Sequence, residues 1–149
     1  YHWLMEQGAN VCLGTDGCSS NNNLDMYEEM KTAALCQKFY WNSDTVLPAA
    51  EALSMGTSRG SAALGYHGGE IKEGMPADIV LISLKHPSMV PLHNPVSNIV
   101  YSANGSAVDT VICQGKILMY NSYIPDEEEI IAGASGSAGD LLQRAGTGA

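Results

Sequence analysis

The stretch Ala9-Asn10-Val11-Cys12-Leu13-Gly14 constrains this chain more than any other, because it is a short apolar run closed by Gly8 and Gly14 that leads directly into the polar loop Thr15 to Asn23. A run of that length between glycines is predicted to be a buried strand. Beyond the loop, Leu24, Tyr27, Met30, Ala34 and Lys38 recur at steps of three and four, which places them on one stripe of a helix. Strand, loop and helix in that order form the repeating unit of parallel α/β folds, whose strand ends open onto the ligand crevice. Asp16 stands at that opening. Thr-Asp-Gly taken alone suits two roles for it, a turn cap through Gly17 or Cys18 or a catalytic carboxylate.

Further along, Pro48 suits the start of a short helix over residues 49–55 that Gly56 stops, and Thr57 or Ser58 can cap a second helix ended by Gly65. The texture changes from about Glu70. Gly74-Met75-Pro76 reads as a turn, residues 77–84 as a strand, and residues 108–113 and 116–120 flank Gln114-Gly115 as a hairpin. Ile99-Val100-Tyr101 is read as a further short strand. Asp126 to Glu129 suits either the first turn of a helix or a solvated acidic face. Beyond Ala132 the Gly, Ser and Ala content predicts a weakly ordered end.

Sixteen acidic against seven basic residues, a net charge of −9, disfavour nucleic acid and anionic membranes, since neutralising phosphate takes clustered Lys and Arg. A neutral or cationic small molecule is the better-matched ligand. Cys12, Cys18, Cys36 and Cys113 show no CxxC spacing and suit neither a zinc knuckle nor a disulfide scaffold, so a cytoplasmic location is expected. No apolar run approaches the roughly 20 residues that span a bilayer. A first residue other than Met suggests trimming or a partial sequence.

Leu13-Gly14-Thr15-Asp16-Gly17, followed by Ser19-Ser20-Asn21-Asn22-Asn23-Leu24-Asp25-Met26, resembles the eighth-strand signature of the amidohydrolase superfamily. The resemblance leans towards the methylthioadenosine and S-adenosylhomocysteine deaminases and related chlorohydrolases. It continues in order through Gly65, Gly69-Glu70-Ile71, residues 73–81, residues 94–101 and residues 108–119, covering roughly positions 8 to 132. It implies a fold made of the last strand and helices of a (β/α)8 metal-dependent hydrolase barrel (residues 1–68), part of a composite β-sandwich domain (69–124) and a C-terminal helix or flexible tail (125–149). The position of Asp16 is then that of a carboxylate that contacts a divalent metal, zinc or alternatively iron, and takes a proton from the attacking water. A purine nucleoside-like substrate, loss of ammonia and a homo-oligomeric enzyme follow from the same resemblance. Asn21 and Asn22 are candidate substrate contacts on that loop, with turn and cap material as their other reading.

The resemblance also implies a His-x-His pair and further His and Glu ligands, all N-terminal to the position of Asp16. His2, His67, His86 and His93 form no such pair, and the last three sit among turn-forming residues. One carboxylate does not make a catalytic zinc site, which takes three protein ligands. The chain by itself is therefore expected to bind metal weakly and to be inactive. Other parents within the superfamily are a guanine deaminase, a triazine-type chlorohydrolase and an imidazolone hydrolase; outside it, a non-catalytic interaction domain. A lone eighth strand would expose Val11 and Leu13 and an open edge, so association is expected as well.

Overall fold

A computed structural model of the chain describes residues 1–146. After α1 (His2–Glu6), residues 9–17 run without regular structure into α2 (Cys18–Asn21) and the long helix α3 (Met26–Trp41). The short helices α4 (Ala49–Met55) and α5 (Ser58–Ala63) follow. The second half holds β1 (Ile79–Ile82), α6 (Pro95–Tyr101), β2 (Val108–Cys113), β3 (Lys116–Met119) and α7 (Glu127–Arg144).

Helix α3 begins where Asp25 accepts a hydrogen bond from the Tyr27 amide, and Glu28 and Glu29 add negative charge to its first turn. Its apolar stripe turns Met30 and Ala34 inward, where they meet Leu47, Ala52, Met55 and Val100. Ala34 and Ala52 are completely buried, and their small side chains let α3, α4 and α6 approach closely. The stripe's polar end is also used: the Lys38 ammonium donates to the carbonyls of Val46 and Leu47 and ties down the connection to α4. Met89, Ala103 and Ala107 form a second small cluster between α6 and the sheet.

The sheet is antiparallel in the order β1-β2-β3, with Val80 opposite Val111 and Val111 opposite Met119. Gln114 and Gly115 both lie in the left-handed region (φ 48° and 77°), the geometry that a two-residue hairpin turn of the right-twisting kind requires. Asp78, just before β1 and at the same end of the sheet, grips this turn: it accepts from the Gln114 amide at 2.6 Å and from the Tyr66 hydroxyl at 2.6 Å. Those two bonds hold its carboxyl below the usual carboxylate range, the Tyr66 contact contributing most. Gly69 has its own constraint, since a Cβ there would lie 2.7 Å from the Ser58 Cα and its φ is 80°.

Three readings of the sequence need correction. Residues 9–14 have no regular secondary structure and belong to no sheet, because a strand exists only through its ladder partners and none of the described residues supplies one. Val11 and Leu13 are accordingly not bare: both are half-buried against the α3–α4–α6 cluster, and the Leu13 amide donates to the Met55 carbonyl at 3.1 Å. Residues 99–101 are the end of α6 and not a strand, since Asn94 caps the helix by accepting from the Ser97 amide and Pro95 sets its first turn. The Gly- and Ser-rich tail is helical to Arg144, with acidic residues at its start and an Asp140–Arg144 pair at 3.0 Å in its last turn. Residues 147–149 of the expected tail lie outside the described residues.

Replacing the fully buried Met89 by Ala should cost about 2–5 kcal/mol in urea unfolding with an unchanged slope, whereas Phe39→Ala on the exposed side of α3 should stay within about 0.5 kcal/mol. A second expectation concerns pH. Because the folded state lowers the Asp78 pKa, its contribution is present above the unfolded value of about 3.9 and disappears as pH falls through the folded value. The urea midpoint of the wild type should thus fall more steeply between pH 5 and pH 3, roughly the range of an ordinary carboxylate, than that of Asp78→Asn.

Candidate functional site

Leu13 and Thr15 anchor the approach to the candidate loop, and Asp16 stands at its bend with a left-handed backbone (φ 58°) that Asp tolerates better than most residues. Its side chain is exposed, and one carboxylate oxygen accepts from the Gly17 amide at 2.7 Å. The Thr15 hydroxyl donates to the Asp16 carbonyl at 3.1 Å, so the bend is braced from both sides. Asp16 thus makes the turn-type contact and presents its carboxylate outward at once.

The asparagines behind it divide in role. The Asn21 side-chain amide donates to the Thr15 carbonyl at 2.9 Å and to Glu29 at 2.6 Å, joining the loop just before Asp16 to the first turn of α3. Asn22 is exposed and ends α2 in the left-handed conformation (φ 65°). Asn23 donates to Glu28 at 2.6 Å and accepts from the Asp25 amide. Asp25 caps α3 with one oxygen and takes the Gly105 amide at 3.3 Å with the other, which fixes the start of α3 against the turn before β2. Burial first, and then the nearby Asp25 charge, push the Tyr27 phenol above its ordinary pKa.

Glu29 and Asp25 were not singled out from the sequence as parts of this site, and Asn23, which belongs to the Asn run read as a possible substrate contact, is spent on Glu28 and the Asp25 amide. The usable signal was the Asn-rich loop followed by acids in the first helical turn, a pattern that reads as capping and that here also braces the loop. The structure brings Asn21 against the residue preceding Asp16 but gives its amide protons to Thr15 and Glu29.

No group of three His, Cys, Asp or Glu side chains among the described residues is arranged to hold a metal. His2 pairs with Glu6 at 3.5 Å and packs edge-on to Trp41; His67 and His93 are exposed. His86 accepts from the Ser88 amide and contacts the Ser88 and Ser106 hydroxyls, which joins the segments flanking α6. Asp16 therefore offers one ligand where a catalytic zinc takes three, and these residues alone do not fit the metal. An open apolar groove of about 630 Å³ lies between α3 and β1, walled by Met26, Tyr27, Met30, Leu53, Ile79 and Ile82; neither Asp16, Asn21 nor Asn22 lines it. No described helix is long and apolar enough to cross a membrane, and all four cysteines are free thiols.

Comparison with known proteins places this geometry. Residues 2–118 match the profile of the amidohydrolase family. A 5′-deoxyadenosine deaminase of Methanospirillum hungatei is 85% identical over 146 residues, 98% of this chain but 32% of that protein. The crystal structure of a zinc-bound adenosine deaminase from Xanthomonas campestris superposes with a TM-score of 0.87 at 33% identity, over 95% of this chain and 33% of that one. Atrazine chlorohydrolase from Arthrobacter aurescens, in complex with zinc, gives 0.79 at 27% identity, over 89% and 30%. The chain spans about a third of the length of the curated relatives it matches.

Two neighbouring substitutions should separate. Asn21→Ala removes two hydrogen bonds, one of them to a carboxylate, and is expected to cost about 1–3 kcal/mol of unfolding free energy. Asn22→Gly, at a left-handed position, should be neutral within about 0.5 kcal/mol, and denaturant titration of both variants tests the division of roles.

Proposed function

This chain belongs to the amidohydrolase family, and from that premise we propose that it forms the C-terminal part of a hydrolytic deaminase acting on a 5′-deoxyadenosine-like nucleoside. In such a reaction water adds its oxygen to the ring carbon that carries the amino group, the C–N bond breaks, and ammonia leaves. Asp16 is the residue we assign to proton movement: its carboxylate accepts a proton from water and returns it to the departing nitrogen. The observation that carries this reading is the state of the loop. Asn21, Asn23 and Asp25 are all engaged in hydrogen bonds that brace the chain, while Asp16 is held at a fixed bend with its carboxylate in the open.

Asn22, exposed beside that bend, is the better candidate for a substrate contact, and Asn21 acts by positioning the loop. Zinc, with iron as the alternative, is the metal proposed for the complete site, as the zinc-bound structural relatives support. Asp16 would be one ligand among several, and the others would come from polypeptide beyond this chain. Within this reading residues 1–68 close a (β/α)8 barrel, residues 69–124 belong to a β-sandwich, and the complete enzyme is a homo-oligomer of the cytoplasm, where four free thiols persist. A triazine-type chlorohydrolase is the weaker second reading, since that likeness rests on 27% identity against 85% for the deaminase.

The test is a chimera in which this chain replaces the matched segment of the Methanospirillum hungatei deaminase. Deamination of 5′-deoxyadenosine, followed by ultraviolet absorbance, should proceed, and Asp16→Asn should lower kcat/KM by about 10²–10⁴-fold without changing the melting temperature. A variant within about threefold of its parent would remove Asp16 from the chemistry, a change of well under 1 kcal/mol in barrier.

A further inference from the structure

Two asparagine–glutamate pairs stand side by side at the start of α3, and they reach different things. Asn21 donates to Glu29 and Asn23 to Glu28, each at 2.6 Å and each to a carboxylate, the stronger kind of hydrogen bond. The Asn23–Glu28 pair is exposed and stays at the entry to α3, where Asn23 also accepts from the Asp25 amide. The Asn21–Glu29 pair is half-buried and goes further, because the same Asn21 nitrogen also donates to the Thr15 carbonyl at 2.9 Å. Its anchor is firm: Glu29 precedes Met30, which is buried in the helical cluster.

Both partners of that nitrogen can only accept, so a single orientation of the Asn21 amide satisfies them. Turned over, the amide would set its oxygen against a carboxylate and a carbonyl. A glutamine at position 29 would lift this restriction, since it can donate as well as accept. The carbonyl that Asn21 holds belongs to the peptide joining Thr15 to Asp16. Rotating this peptide would change the φ of Asp16, which stands at 58° in the left-handed region that is strained for a residue with a Cβ. Strained backbone persists where its surroundings fix it. The Thr15 hydroxyl and Gly17 amide bonds lie within residues 15–17 and would turn with them, whereas the bond through Asn21 reaches α3.

We infer that Glu29 is a positioning residue for the deamination: through Asn21 its carboxylate holds the Thr15–Asp16 peptide, and with it the direction of the Asp16 carboxylate. The inference rests on the catalytic reading of Asp16 and deepens it.

Glu29→Gln keeps the shape of the side chain and removes its charge. In the Methanospirillum hungatei chimera it should lower kcat by about tenfold or more with KM within about twofold, the split expected when a reacting group and not substrate binding is disturbed. Glu28→Gln, which alters the neighbouring pair, should leave both within about twofold. In an Asp16→Asn chimera the Glu29 change should cost less than about threefold, since the group it positions is gone; a general structural loss would recur in full. The brace itself is read by NMR in the full 149-residue chain. There the Asn21 side-chain amide protons should exchange with water about tenfold faster or more in Glu29→Gln, and at the parent's rate in Glu28→Gln. Parent-like exchange in Glu29→Gln, a kcat within about threefold of the parent's, or an undiminished loss in the Asp16→Asn background would each overturn the inference. An inactive chimera, or an Asp16→Asn chimera as active as its parent, would instead overturn the catalytic reading and leave the Glu29 brace to stand or fall on the exchange rates.

Discussion

The packing of α3, α4 and α6 around Ala34, Ala52 and Val100 is the contact on which the rest of this molecule depends. Three small or branched side chains, each with no exposed surface, let the helices close at short range, and Met30, Leu47 and Met55 fill the space that remains. The segment carrying Val11 and Leu13 lies on this cluster, so the position of Asp16 is inherited from helix packing and not from a sheet. In a barrel the same segment would be gripped by strands on both sides. Among the described residues, the contacts that place it are those with the helices.

From that cluster the candidate site is reached in two steps of hydrogen bonding. Asp25 starts α3 and ties it to Gly105, and Asn21 then links the first turn of α3 to the carbonyl just before Asp16. Nothing in this series asks Asp16 to hold the fold together beyond its contact with the next amide. A carboxylate fixed in place but little used for structure is available for chemistry. One such group is not a metal site, and in the proposed reading the remaining ligands come from polypeptide beyond this chain.

The legible parts of the sequence were those set by local rules. The Gln114-Gly115 hairpin was readable because two adjacent left-handed residues between β-prone runs have few other uses. The stripe of α3 was readable because its period is that of a helix, and it correctly named Met30 and Ala34; Leu24, assigned to the same stripe, precedes the helix and is largely exposed. What the sequence concealed depends on partners. Residues 9–14 have the composition of a buried strand, yet strand pairing is a property of neighbours. Residues 99–101 are β-branched and aromatic, but Asn94 and Pro95 start a helix before that preference can act. At the site, Asp16 was visible through its place after an apolar run, whereas the bracing by Glu29 was not, since a bond across eight residues leaves no periodic trace.

The central claim is that the helical cluster of α3, α4 and α6 holds the Asp16 loop in place. Amide hydrogen exchange of the isolated chain tests it most directly, because it ranks local opening within one sample. The account predicts slow exchange at residues 30–38 of α3 and 52–55 of α4, with α7 exchanging fast in the same experiment. Exchange in α3 as fast as in α7 would show that the cluster does not persist alone, and would contradict the account.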